Sequence, residues 1–553
     1  MFVRTKIRKN GKVAVQIVSA HRKANGVSQR VIRHIGQGSN EFEIEELKKL
    51  GQAIIHQMEN EKTPLLPLYD PIELNNSVTT KKKKDVPENV KLKDVREEQR
   101  VNDGISDIFG ALYDNLGLNN IIKRTLKNKQ WNSNLRTMVL ARIANPVSKH
   151  RTAGLLEEDY GIKLPVEQIY RTLDHLYRCE GEIKKYVAGK TLELFKQEVE
   201  VLFFDVTTLY FESFEKDELR DFGFSKDCKF KETQVVLALV TTKEGLPITY
   251  RLFPGNTYEG HTLLSMVEEL SNDYQIKQIM LVADRAMFTK DNLLALESKG
   301  IQYIVSAKLR GMGKNLQREI LSTHNYTAEA VEDELCWVSE HDYEGRRLIV
   351  EYSPKRAKKD FVERSRLIER LLKKAKEGKI SIKSLIPNYG SKKYLKVDGK
   401  EKAELNTKKI EEDSQWDGLH GVITNVRKEE LEIRKALSRY RDLWCIEEAF
   451  RVNKHDLKMR PIFHFKQERI QAHIALCYIA YTVVKHALYH LRKQDILMSF
   501  EQLRNELLHL QSSVLVDKQT NEMYLLPSKT TQNQRKIYSA FGLVRRDSPY
   551  VFE

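Results

Sequence analysis

Between Val201 and Phe211 the chain reads VLFFDVTTLYF, an apolar run interrupted by one carboxylate, Asp205. Alternating and β-branched residues make this a strand, and the two phenylalanines before the acid argue against a surface position. A carboxylate inside such a strand costs free energy unless a hydrogen bond, a cation or a divalent metal compensates it. Two further runs, TQVVLALVTT and PITYRLFPGN, are separated only by the turn KEGLP, so the three should form an antiparallel meander. A helix (HTLLSMVEELSN), a strand (QIMLVAD), a second helix (KDNLLALESKG) and a second strand (IQYIVSAK) follow. Few topologies accept this order.

Three antiparallel strands followed by αβαβ is the element order of a ribonuclease-H-like core. In it Asp205 lies on the first strand, and Asp284 ends the strand QIMLVAD, where open α/β sheets place ligands. A third acid, Glu447, stands in YRDLWCIEEAFRVNK, where apolar spacing is helical. Three carboxylates from three elements are the donor set of a site that holds Mg²⁺ and cuts phosphodiesters. Each acid also has a plainer reading. Asp205 can bond a backbone N–H, Asp284 can cap a helix although Thr289 is the better cap, and Glu447 can pair with Arg451 on a solvated face. Read as one continuous helix, the segment puts Tyr440, Trp444, Glu447, Arg451, Lys454 and Lys458 on one face. Leu443, Ile446, Phe450 and Leu457 would form the opposite, core-facing stripe.

The fold class expected from the whole chain is multidomain α/β. A ribonuclease-H-like core is interrupted by a mostly β insertion and preceded by a small β unit and a helical DNA-binding region. Residues 1–62 alternate like a small β-meander followed by a helix from about Glu41 to Met58, and 63–97 form a charged linker around TTKKKKD. Residues 98–200 are helical in period. Within them RTAGLLEEDYGIKLPVEQIYRTLDHLY has the outline of a helix-turn-helix, with Gln168, Arg171 and His175 near its second helix. The same outline occurs in any α-bundle. The core would run over 201–310 and, as helices, over 427–512. The insertion occupies 311–426, with the basic stretch KRAKKDFVERSRLIERLLKKAKEGK, and 513–553 read as a loosely structured tail.

With 553 residues, of which 41% are hydrophobic, the chain is long enough for several cored domains, and its formal net charge of +16 favours a polyanionic partner, most simply nucleic acid. Cys179, Cys228, Cys336, Cys445 and Cys477 are scattered, with no CxxC pair, which argues for reduced thiols and against zinc fingers. The start, MFVRTKIRKNGK, has no apolar signal region, and IALCYIAYTVV from Ile474 is short for a membrane span. A cytoplasmic, nucleoid-associated protein with no membrane partner is expected.

Several ordered stretches carry a family likeness: FDVTTLYFES, GFSKD, PITYRLFPGNTYEGHTL, VADRAMFTKDNL, DGLHGVITN and YRDLWCIEEAFRVNKHDLKMRPIFHFKQERIQAHIALCYIAY. Through them the chain resembles the DDE transposases of bacterial insertion sequences, in the group with a Tyr-Arg-Glu-Lys signature. The resemblance implies Asp205, Asp284 and Glu447 as a catalytic, metal-binding triad for Mg²⁺ (Mn²⁺ as substitute), with two ions. The signature falls on Tyr440, Leu443, Glu447 and Lys454, so Leu443 departs from it, and Arg441 or Arg451 would have to supply the missing phosphate contact. Tyr440, Lys454 and Lys458 would hold DNA, and Trp416 or Trp337 would stack a flipped base.

The activity so implied is DNA cleavage and strand transfer at the ends of an insertion sequence. The partners would be double-stranded DNA, as element ends and target, and a second copy of the chain in a DNA-bound homodimer. Two other functions use the same residues: a nuclease on the same core that never joins strands, and an inactive transposase-derived regulator. No RNA-binding module is present.

Overall fold

The structure is a computed structural model. It describes residues 2–8, 13–23, 26–38, 44, 47–48, 86, 90–120, 129–195, 201–225, 229, 231–274, 280–284, 289–332, 334–376, 393–397 and 403–551. The chain divides into two compact units. The first comprises Met1–Leu66 and Gln302–Arg441, the second Pro67–Ile301 and Asp442–Glu553.

In the first unit β1 (Phe2–Ile7), β2 (Val13–Lys23) and β3 (Gly26–Gly38) pair in order as an antiparallel sheet. The expected Glu41–Met58 helix and the lysine-rich linker fall almost wholly outside the described residues. The second unit opens on β4 (Val95–Asn102), so the last positions assigned to that linker belong to a strand. A helical block follows: α1 (Ala111–Asn115), α2 (Lys129–Ala144), α3 (Lys149–Tyr160), α4 (Val166–Arg178) and α5 (Glu180–Leu194). Helix α3 starts at the Ser148 cap and stops at Gly161, whose φ of 66° is the left-handed geometry that glycine adopts without strain.

The meander comes next, as β5 (Val201–Tyr210), β6 (Gln234–Thr242) and β7 (Pro247–Pro254), joined antiparallel. Helix α6 (Glu259–Asp273) then leads to β8 (Met280–Ala283), which lies parallel to β5, and α7 (Lys290–Ser298) follows. Within this unit the strand order is β8-β5-β6-β7. All of β6 is buried, as are eight of the ten β5 residues, which accounts for their near-continuous apolar character.

Back in the first unit run β9 (Gln302–Ser306), α8 (Lys314–Leu321), β10 (Thr327–Val331), β11 (Glu334–Tyr343) and β12 (Arg346–Tyr352). The 23-residue basic helix α9 (Pro354–Lys376), the short pair β13 (Leu395–Val397) and β14 (Ala403–Leu405), α10 (Thr407–Ser414), β15 (Leu419–Thr424) and α11 (Ile433–Arg441) complete it. Its sheet order is β9-β15-β12-β11-β10. Strand β9 pairs with β15 on one side (Val422 opposite Ser306). The segment from 427 to Arg441, expected with the returning core, belongs here too.

The second unit resumes with α12 (Trp444–Arg451) and the 27-residue α13 (Gln467–Lys493). The latter is apolar and long enough to cross a membrane, but its apolar window is entirely buried among α2, α4 and β7, as a core helix is. The C-terminal residues are not a loose tail. After α14 (Phe500–Leu508), strands β16 (Gln511–Asp517), β17 (Met523–Pro527) and β18 (Tyr550–Val551) form an antiparallel sheet with β4, and α15 (Gln532–Ala540) lies between β17 and β18 in sequence. Val514, Leu525 and Tyr550 make its core against Val101. Thr531 and Gln534 close a capping box on α15, and Tyr538 donates to Asp107 at 2.7 Å. The alternation in QSSVLVD and the TTQNQ capping signature were the available sequence signals.

Candidate active site

The parallel pairing of β5 and β8 sets Phe204 opposite Ala283. Asp205 and Asp284 are the residues that immediately follow this last pair, one still in β5 and the other just past the end of β8. Asp205 is half-buried, and one carboxylate oxygen accepts the Val206 N–H at 2.7 Å. Asp284 is exposed at the strand's C-terminal end. Two acidic residues thus stand at the strand ends where an open sheet offers a ligand site.

Helix α12 packs against β5 and β6 and carries adjacent glutamates. Glu448 is committed to structure: Lys485, only 2% exposed, donates to it at 2.9 Å, and Arg451 lies 3.9 Å away. Glu447 is exposed, with no side-chain hydrogen bond or ion pair among the described residues. Among those residues no group of three or more His, Cys, Asp or Glu side chains is close enough to hold a metal ion. Asp205 and Asp284 follow the last paired residues of adjacent strands, and Glu447 lies on the helix packed against β5.

The single helical face drawn through residues 440–458 does not exist. Helix α11 ends at Arg441, and the chain tightens into i→i+3 bonds (Cys445 N–H to Asp442 O, Ile446 N–H to Leu443 O) before α12 begins. Past Arg451 a π-turn over Val452–Asp456 adds a residue, shown by the 2.8 Å bond from Leu457 N–H to Val452 O. Lys454 lies in that turn, half-buried, and Lys458 lies beyond it at a φ of 45°. Leu443 is buried, as a core residue should be.

Tyr440 packs its ring on His420, 5.0 Å between centroids, and burial pushes the His420 imidazole down to about 3, with Arg356 and Arg441 adding to the effect. Arg441 is engaged inside the first unit. It donates to Val331 O at 3.0 Å and Cys336 Sγ at 3.2 Å and forms a close ion pair with the buried Glu351. Arg451, half-exposed, pairs with Asp456 at 3.3 Å. Trp416 and Trp337 are half-buried, the latter 6.1 Å from the Tyr352 ring.

Helices α3 and α4 keep the helix-turn-helix outline. Ile169, Thr172, Leu173 and Leu176 face inward, while Arg171, Tyr177 and Arg178 are exposed. His175 is a packing residue, its ring 4.8 Å from Trp131, and Gln168 accepts from Asn134 at 3.5 Å. Asp174 pairs with Arg469 at 2.8 Å, tying α4 to α13.

Sequence reasoning gave no role to the segment Arg460–Lys466. Ile462 bridges to Phe211, and its N–H donates to Tyr210 O at 3.2 Å, so this loop lies alongside the end of β5. Arg460 stands 5.5 Å over the Tyr210 ring, and Phe463 and Phe465 are exposed. The alternation in PIFHFK was the signal.

The family model described as "Transposase DDE domain" matches residues 196–483, a span that includes Asp205, Asp284 and Glu447. The chain belongs to this family of DDE transposases. No curated protein matches the sequence. Among solved structures, "Mos1 transposase paired-end complex with left transposon end" aligns at 14% identity and a TM-score of 0.13, over 33% of this chain and 60% of that one. "Crystal structure of a pre-cleavage Mos1 transpososome" aligns at 11% and 0.14, over 36% and 77%. Likenesses this weak carry no argument about this chain.

Proposed function

We propose that this protein catalyses metal-dependent DNA cleavage and strand transfer at the ends of an insertion sequence, on a ribonuclease-H-like core. The reading rests above all on the placement of Asp205 and Asp284 directly after the last paired residues of two parallel strands. The donor chemistry fits magnesium, with Mn²⁺ as substitute: hard carboxylate oxygens, one already oriented by a backbone N–H. Asp205 and Asp284 would hold the ion, and Glu447, whose side chain has no partner among the described residues, would turn in as a third ligand. When bound, two such ions activate a hydroxyl nucleophile and stabilise the leaving oxygen in an in-line displacement.

The protein's own groups would do the positioning. Tyr440, Lys454, Lys458 and Arg451 are proposed to grip backbone phosphates. Arg441 is better suited to holding Glu351 than DNA. Arg171 and Gln168, on the second helix of the helix-turn-helix outline, are proposed contacts to the element end, and Trp416 a base-stacking residue. The net charge of +16 suits a double-stranded DNA partner in the cell interior, and joining two ends to one target calls for a homodimer assembled on DNA.

A strand-joining assay separates this reading from a nuclease on the same core. Pre-cut element ends with free 3′-OH groups are incubated with plasmid and Mg²⁺. Covalently joined product supports the transposase. Cutting without joined product would support the nuclease instead.

A further inference from the structure

Far from the acids in sequence, a group of cationic and imidazole side chains is buried in the second unit without an opposing carboxylate. Arg142, near the end of α2, is 6% exposed, and Lys149, the first residue of α3, is 7% exposed. His464 (8%) and His473 (5%) complete the group, their rings 5.4 Å apart.

The hydrogen-bond inventory is lopsided. His473 Nε2 faces the carbonyl of Met459 at 3.1 Å, with the weaker Cys477 Sγ at 3.9 Å, so that nitrogen carries the proton and Nδ1 is the acceptor. Lys149 Nζ donates to Nδ1 at 3.3 Å, which uses one of its donors. Arg142 has no hydrogen bond or ion pair among the described residues, so its N–H donors are available to an incoming acceptor. Asp174, on the neighbouring helix α4, is already paired with Arg469.

Electrostatics points the same way. The first turn of α3 is Lys149, His150 and Arg151 with no acid, at the end where the helix dipole favours negative charge. Burial, and then the Arg142 charge, push Lys149 well below the usual lysine range, and burial pushes His464 down to about 3. A buried uncompensated cation is costly, and an acceptor-rich anion relieves that cost at once.

We propose that Arg142, Lys149 and the N-terminus of α3, with His464, form a binding site for a phosphate group. The tetrahedral anion takes the guanidinium fork and the remaining Lys149 donors, and His464 offers a ring N–H. Two sources share this chemistry, free inorganic phosphate and a backbone phosphate of DNA. The first helix of a helix-turn-helix meets the backbone in the second case. The free-phosphate arm does not depend on the transposase reading.

The test is thermal melting of the full chain in inorganic phosphate against chloride at equal ionic strength, beside Arg142→Met and Lys149→Met and with duplex-DNA binding measured in parallel. The site predicts that phosphate raises the wild-type Tm and that both variants lose the response. Arg142→Met should also melt at or above wild type in phosphate-free buffer, since an unpaired buried charge has gone. If free phosphate has no effect but Arg142→Met weakens DNA binding about tenfold and lowers the salt slope by about one, the DNA backbone is the source. Should Arg142→Met fail to fold, Lys149→Met and a ³¹P line-broadening titration of wild type carry the test. A wild-type Tm indifferent to phosphate together with unchanged DNA affinity and salt slope in the variants overturns the proposal, as does a phosphate response that survives both substitutions.

Discussion

The adjacent glutamates on α12 should behave oppositely when neutralised. Glu448→Gln removes the carboxylate that faces Lys485, whose side chain is 2% exposed and cannot turn to solvent. Breaking a buried ion pair from one side costs about 3–5 kcal/mol. Glu448 itself is a quarter exposed, which screens the pair and brings the cost to about 2–3 kcal/mol. At no more than about 2 °C per kcal/mol for a domain of this size, the melting temperature should fall by about 4–6 °C. Glu447→Gln alters an exposed side chain without a partner, a change worth within about 0.5 kcal/mol, so its melting curve should overlay wild type while DNA cleavage is lost. Thermal melting and a cleavage assay on both variants decide the matter. Full cleavage by Glu447→Gln, or a Glu448→Gln variant that melts like wild type yet cannot cut, would refute the assignment.

Other expectations come from the same geometry. Asp205→Asn and Asp284→Asn should each weaken Mg²⁺ binding by calorimetry and abolish cleavage while far-ultraviolet circular dichroism stays unchanged. Arg441→Leu should act on stability, leaving the buried Glu351 unpaired at a cost of about 3 kcal/mol or more, read as early unfolding by hydrogen exchange around β11 and β12. Burial pushes His486 down to about 4. A depressed histidine contributes stability that is complete above its unfolded pKa of about 6.5 and is lost as pH falls toward the folded value. Between pH 6.5 and 5 this group alone should remove about 2 kcal/mol, a loss that denaturant titrations of His486→Gln at the two pH values should not show.

The core strands were legible because their chemistry is local. VLFFDVTTLYF, TQVVLALVTT and QIMLVAD are apolar enough that only buried strands accommodate them, and the αβ spacing forces β8 parallel to β5. That alone places Asp205 and Asp284 directly after the last pair of adjacent strands. The helix geometry around Glu447 was less legible, since the apolar spacing of Leu443, Ile446, Phe450 and Leu457 continues unbroken through two changes of helical register. What interrupts it is tertiary: Arg441 is held by Glu351, Cys336 and Val331 in one unit, while Lys485 holds Glu448 in the other. That Glu448 is engaged by Lys485, 37 residues away, was likewise beyond local reading. The C-terminal sheet went unread because its strands are short, its alternation is only partly apolar, and its partner strand lies some 400 residues earlier, at Val95–Asn102.

The most direct test of the whole account is cleavage of linear DNA carrying the gene's own flanking sequence, with and without Mg²⁺, beside Asp205→Asn. The account predicts metal-dependent cuts at matching positions on both flanks that vanish in the variant. DNA binding without any cut in either Mg²⁺ or Mn²⁺ would contradict it.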